Sequence, residues 1–297
     1  MSVEECRYRL RHLTAYRYSG RTDVCHSLAH LRPRESAGQE LLSHRVDISP
    51  RPRFEADRKD YFKNDTLYFE ILGSHDLLEV VSTATLIKTE PAEAPPLPAT
   101  TPWDDAGSRA LAGEVDEEGF YLANFLLPSR ACPDHPAIAA FLAPSLVPGR
   151  DRMELACEIM ERVFDEFTYL PGATDTSTSI ATVLKTRQGV CQDFAHVMIA
   201  ALRHLGIPVR YVSGYLETIP PPGKKKLQGA DASHAWVEVW SAETGWIPFD
   251  PTNKVRPSAR HIKVAHGRDY FDVQPLKGLF VGTGRQKLVV EVDVERI

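Results

Sequence analysis

Three polar side chains in the second half of the chain, Cys191, His234 and Asp250, could share one chemistry. A thiol attacks as the thiolate, and it needs a nearby imidazole to take its proton and a third group to orient that imidazole. Cys191 opens the stretch Cys-Gln-Asp-Phe-Ala-His-Val-Met-Ile-Ala-Ala-Leu-Arg-His-Leu-Gly-Ile-Pro. There Phe194, Val197, Met198, Ala201, Leu202 and Leu205 recur at helical spacing, with Gly206 and Pro208 as the stop. Cys191 therefore falls at or just before a helix start. Unpaired backbone N–H groups and the positive end of the helix dipole favour a thiolate at such a position.

The other two residues belong to a predicted hairpin, strands Ser233–Trp240 and Trp246–Asp250. Alternation puts His234, Trp236, Glu238 and Trp240 on one face, and Trp246, Pro248 and Asp250 share a face. If Trp240 pairs with Trp246, Asp250 lies opposite Trp236 and is the diagonal neighbour of His234. A shift of two residues sets His234 directly opposite Asp250, whereas a shift of one sends them to opposite faces. Two registers thus bring a carboxylate to the imidazole.

The remaining elements frame this pair. Residues 6 to 90 read as β: Tyr8, Leu10, His12, Thr14, Tyr16 and Tyr18 alternate, followed by runs at 24–31, 41–48, 66–72 and 77–88. Ser19-Gly20, Lys63-Asn64-Asp65 and Gly73-Ser74 read as turns between them, which favours a sandwich or open barrel. Five prolines between Pro91 and Pro102 mark a linker. Residues 103–150 form a lead-in segment with short helices at 120–127 and 136–142. Met153, Ala156, Cys157, Met160, Val163, Phe164 and Phe167 then fit a helix that buries one face, Cys157 included. A polar loop (172–179), a short helix (180–186) and a strand (209–218) complete the surroundings of the hairpin, and the tail 287–297 is strand-like. The lysines of Pro220–Lys226 read as an exposed loop tip. The expected division is 1–90, 91–150 and 151–297.

Composition narrows the function. The 297 residues carry a net charge of −5, which gives no sign of nucleic-acid or membrane binding. No secretory signal or membrane-spanning run is visible. Five scattered cysteines without a C-x-x-C pair argue against a disulfide framework or thiolate zinc site, so a reducing cytoplasm is expected. His12, His26, His30 and His44 show no metal spacing, and a zinc site on Cys191 and His234 would lack further ligands.

Three motifs, Gly189-Val-Cys-Gln-Asp-Phe-Ala-His, Ala232-Ser-His-Ala-Trp-Val-Glu-Val and Trp246-Ile-Pro-Phe-Asp-Pro-Thr-Asn, resemble the bacterial branch of the transglutaminase-like superfamily of papain-fold thiol enzymes. The segment His261–Pro275 is similar to the one that closes that core, and His12–Tyr18 and Asp60–Asn64 resemble the β-rich domain preceding it. The resemblance implies an α+β protein: an N-terminal antiparallel β-sandwich, then a transglutaminase-like (papain-type cysteine proteinase) domain. It also implies acyl transfer at an amide or isopeptide bond of a peptide or protein, with Cys191 as nucleophile, His234 as base then acid, and Asp250 as orienter. The backbone N–H of Cys191 would stabilise the oxyanion, with Tyr169 or Gln192 as a second donor; Trp236, Trp240 and Trp246 read first as core, with Trp236 the candidate among them to wall the substrate cleft.

Gln192 stands where animal transglutaminases carry tryptophan, and no EF-hand-like loop is present, so neither calcium nor another cofactor is expected. A peptidase or amidase leads; a transamidase and an inactive peptide-binding module are the alternatives. Alone, Cys191 would more often be a core residue, His234 a satisfied strand histidine and Asp250 a turn starter. Their arrangement together reverses that.

Overall fold

A computed structural model describes residues 3–91, 94–105, 117–218 and 233–297. The loop at 220–226, read as an exposed tip, and the rest of 219–231 lie outside the described residues.

Strands β1 (Val3–Ala29), β2 (Gln39–Ser49), β3 (Phe54–Lys59) and β4 (Asp65–Pro91) build an antiparallel sheet. β1 and β4 are each 27 residues long. Where the sequence suggested turns at Ser19-Gly20 and Gly73-Ser74, the two strands run on, with register irregularities facing each other between Arg17/Thr22 and Thr22/Val24. Gly73 adopts φ +115°, which side-chain-bearing residues rarely accept. Paired bulges bend both strands together rather than reversing the chain. The strands accordingly form one hydrogen-bonded sheet of six strands.

The helical layer follows. α1 (Glu117–Ala123) ends four residues short of the expected stop, whereas α2 (Pro136–Leu142) matches its prediction. α3 (Arg152–Glu166) is capped by Asp151, whose carboxylate accepts from Met153 N and Glu154 N. Its buried face is Met153, Leu155, Ala156, Ile159, Met160 and Val163. Cys157 lies at the margin of that stripe, and Phe164 is 43% exposed beneath the Lys254 ammonium. Leu155 and Ile159 face the core instead, because the stripe is rotated toward them.

Next come β5 (Thr168–Tyr169), α4 (Ile180–Thr186), β6 (Gln188–Gly189) and α5 (Cys191–His204). α5 is apolar nearly all round, as its buried residues from Asp193 to Arg203 require. It packs on a second antiparallel sheet, in the order β10-β7-β8-β9. Its strands are β7 (Val209–Leu216), β8 (Ser233–Ser241), β9 (Gly245–Phe249) and β10 (His261–Gly267).

The chain then returns to the first sheet. β11 (Leu276–Gly282) and β12 (Gln286–Arg296) pair with the two halves of β1, so the tail that the sequence grouped with 151–297 belongs structurally with the N-terminal strands. Local pattern cannot foresee this, since a strand's partner is chosen by tertiary contact. One core runs through both parts: Tyr8, Leu10, Leu86, Val292 and Val294 are continuous with α3, α5 and the second sheet. A separate cluster around Phe69, Ile71 and Val80 fills the far half of the first sheet.

Candidate active site

The start of α5 is held by its own third residue. Asp193 Oδ2 accepts from Val190 N at 2.8 Å and from Thr174 Oγ1 at 2.6 Å, so one carboxylate satisfies a helix-end N–H and ties in the loop 172–179. Cys191, half-buried, begins the helix.

The hairpin of β8 and β9 adopts the register with Trp240 opposite Trp246 and Val237 opposite Phe249. His234 and Asp250 meet across it: His234 Nε2 donates to Asp250 Oδ2 at 2.8 Å. With Nε2 so engaged, Nδ1 is the ring nitrogen left for Cys191, which lines the same cleft as His234. Burial alone would lower the pKa of His234, but hydrogen bonds and charge from Asp250 and Cys191 outweigh it and push it up to about 10. Asp250 has no exposed surface. Burial opposes its charge, yet the donors from His234 and His261 hold its carboxyl well below the usual range.

The two oxygens of Asp250 face different partners. Oδ1 accepts from Thr252 N at 2.9 Å and Asn253 N at 3.3 Å, the Asx turn that Asp-Pro-Thr suggested. Oδ2 accepts from His234, from Asn253 Nδ2 at 2.7 Å and from His261 Nε2 at 3.0 Å.

Sequence reasoning did not single out Asn253 or His261. Asn253 could have been found from the turn itself, three residues past a buried carboxylate. His261 has no local signal, because it reaches Asp250 only through the pairing of β10 with β7.

Among the other predicted residues, Tyr169 lines a cleft of about 270 Å³ with Cys191, Leu216, Thr218, Ser233, His234, Thr252 and Asn253. Its ring is edge-on to Phe194. Gln192 sits half-buried in the first turn of α5 and is not part of that lining. Trp236 does not wall the cleft. It is 2% exposed and stands edge-on to His261, 5.4 Å between ring centres. The strand alternation placed it correctly on the face of His234, but that face is covered at Trp236 by β10. His196 is buried and accepts from Tyr270 N at 3.2 Å.

His234, Asp250 and His261 present three atoms within 4.8 Å of one another, close enough to raise the question of a metal. They do not fit one. Both imidazole nitrogens point at the same carboxylate oxygen at hydrogen-bond distance, and Asn253 Nδ2, 2.7 Å from that oxygen and 3.4 Å from His234 Nε2, fills the space between them. An amide N–H donor there repels a cation.

Residues 141–251 match the transglutaminase-like superfamily, and residues 8–86 match the bacterial transglutaminase-like N-terminal region. An uncharacterized protein of Mycobacterium tuberculosis is 37% identical over 97% of this chain and 92% of its own length. A protein-glutamine gamma-glutamyltransferase of Pseudomonas aeruginosa is 39% identical, but over 31% of this chain and 14% of its own. The fold is similar to that of a Cytophaga hutchinsonii protein provisionally described as a cysteine protease, with TM-score 0.73 and 19% identity over 100% of this chain and 93% of that one.

Proposed function

Because this chain belongs to the transglutaminase-like superfamily, we propose that it is a cysteine-dependent acyl-transfer enzyme acting on amide bonds of peptides or proteins. Its leading outcome is hydrolysis, without calcium. The observation that carries the proposal is the bond between His234 Nε2 and the buried Asp250, which leaves Nδ1 to the thiol at a helix start.

In this reading the Cys191 sulfur attacks the carbonyl carbon and the C=O π electrons move to oxygen. The backbone N–H of Cys191 and, as a second donor, the Tyr169 hydroxyl stabilise that charge. As the C–N bond breaks, the proton on His234 Nδ1 passes to the departing amine, leaving an acyl thioester on Cys191. His234, now neutral, takes a proton from the incoming water. Attack on the thioester then releases acid and thiol. Asp250 stays ionised throughout and holds the ring. A reducing cytoplasm is part of the proposal, since no disulfide links the five cysteines to one another.

Transamidation is the second reading, favoured by the stretch of 92 residues similar to a glutamyltransferase. There an amine replaces water. Wild type and Cys191→Ala, screened on peptide and isopeptide libraries, test the proposal. Turnover that vanishes in the variant supports it, and equal turnover in both refutes it. Mass spectrometry of a glutamine peptide with excess amine then separates the outcomes: a free acid alone eliminates transamidation.

A further inference from the structure

The mechanism above uses one of three N–H groups that converge on Asp250 Oδ2. A second comes from His261, and its direction is set by the backbone. His261 Nδ1 lies 3.3 Å from Ser258 N, which can only donate. Nδ1 is therefore the bare acceptor, and neutral His261 carries its proton on Nε2, donating to Asp250 at 3.0 Å. The ring plane is held by Trp236. A one-way chain results: Ser258 N–H to His261, His261 to Asp250, and Asp250 shared with His234.

We propose that His261 is a positioning residue that acts through Asp250, taking up part of the acceptor capacity of Oδ2 so that this oxygen grips the His234 proton less tightly. The inference rests on the catalytic reading of Cys191, His234 and Asp250. Each N–H donated to a carboxylate makes it a weaker base, and an imidazolium bound to a weaker base is a stronger acid. The leaving amine needs that acidity, because His234 must surrender its Nδ1 proton as the C–N bond breaks. Asp250 does not need His261 merely to stay in place, since the two backbone N–H groups on Oδ1 and Asn253 already fix it. What His261 adds is competition. The groups facing His234 are Asp250, Cys191 and His261; those facing His261 are Asp250, His234 and Arg260.

The test is an NMR titration of the ring nitrogens in the full chain labelled with ¹⁵N-histidine. In His261→Phe the His234 midpoint should move to higher pH, its proton held about three- to tenfold more tightly. His261→Gln, whose amide can still donate, should return the midpoint toward wild type. An unmoved or lowered midpoint in His261→Phe, with or without loss of stability, would mean that His261 only packs.

Wild type supplies a check that survives misfolding of the variant. Near pH 7 its His261 must show a bare Nδ1 and a protonated Nε2, and any other form overturns the proposal. Iodoacetamide alkylation of Cys191 separates the two levels. If His234→Ala leaves the rate unchanged from about pH 5 to about pH 9, the catalytic reading fails and this inference with it. If His234→Ala shifts the rate while His261→Phe leaves the His234 titration in place, only the role of His261 fails.

Discussion

Asp250 is a carboxylate without exposed surface, and its five N–H partners are the reason it tolerates burial. Asp250→Ala removes the acceptor of two imidazoles. It should lower kcat at least about a hundredfold with little change in KM, measured on any substrate found in the library screen. A second buried carboxylate, Glu238, binds Arg210 Nε at 2.5 Å and Lys263 Nζ at 2.7 Å. Burial works against its charge, but the two cations hold it down to about 2. Its contribution to stability is thus complete above its ordinary pKa of 4.5 and is lost as pH falls toward 2. Glu238→Gln leaves the buried Arg210 cation without its counter-charge and removes the carboxylate that helps keep Lys263 charged, an amine whose pKa burial already lowers to about 7. The substitution should cost about 3–5 kcal/mol near neutral pH and flatten the acid limb of the stability profile, read by denaturant titration at each pH. His234 has the opposite sign. Its pKa is raised to about 10, so its stabilisation is complete below 6.5 and fades as pH rises through about 10.

At the scale of elements, α5 and the hairpin carry the groups that the proposed mechanism brings together, and small contacts fix each. Asp193→Ala would free the Val190 N–H and the loop at Thr174 together. A loss of about 1–2 kcal/mol in thermal unfolding is expected, along with slower alkylation of Cys191. Gly214 on β7 lies where its neighbours leave no room: a Cβ would collide with the Ile262 carbonyl oxygen and the Trp236 ring. Gly214→Ala should therefore push Trp236 against His261 and destabilise the fold by several kcal/mol, on the order of other overpacked core sites. A fully stable Gly214→Ala protein would show that β10 can shift away.

Across the whole molecule the two parts form one working unit. The first sheet reaches the strand that ends at the cleft: Tyr8 Oη donates to Glu217 Oε2 at 2.8 Å, and His12 Nδ1 lies 2.8 Å from Tyr215 Oη. Leu216 and Thr218 of that same segment line the cleft. β11 and β12 then close the sheet along β1. A chain ending at residue 275 would keep Cys191, His234, Asp250 and His261 and yet leave both halves of β1 without partners on one side. It should be insoluble or unfold at markedly lower temperature than the full chain, a comparison that light scattering and calorimetry make directly. Among the described residues no helix is long and apolar enough to cross a membrane.

The sequence by itself determined the elements whose period is local. The buried helix from Cys191, the β character of residues 6–90, and a hairpin that joins His234 to Asp250 in either even register all follow from side-chain spacing along a single segment. Tertiary structure decided whatever depends on which segments become neighbours. It turned the glycine pairs at 20 and 73 into facing bulges, because β1 and β4 lie side by side. It covered Trp236 with β10, rotated the buried stripe of α3 past Phe164, and carried the tail back to β1. It also brought His261 to Asp250 across a strand pairing. A residue's own neighbours in sequence set its conformation, but the partner of a buried proton is chosen by the packing of distant strands.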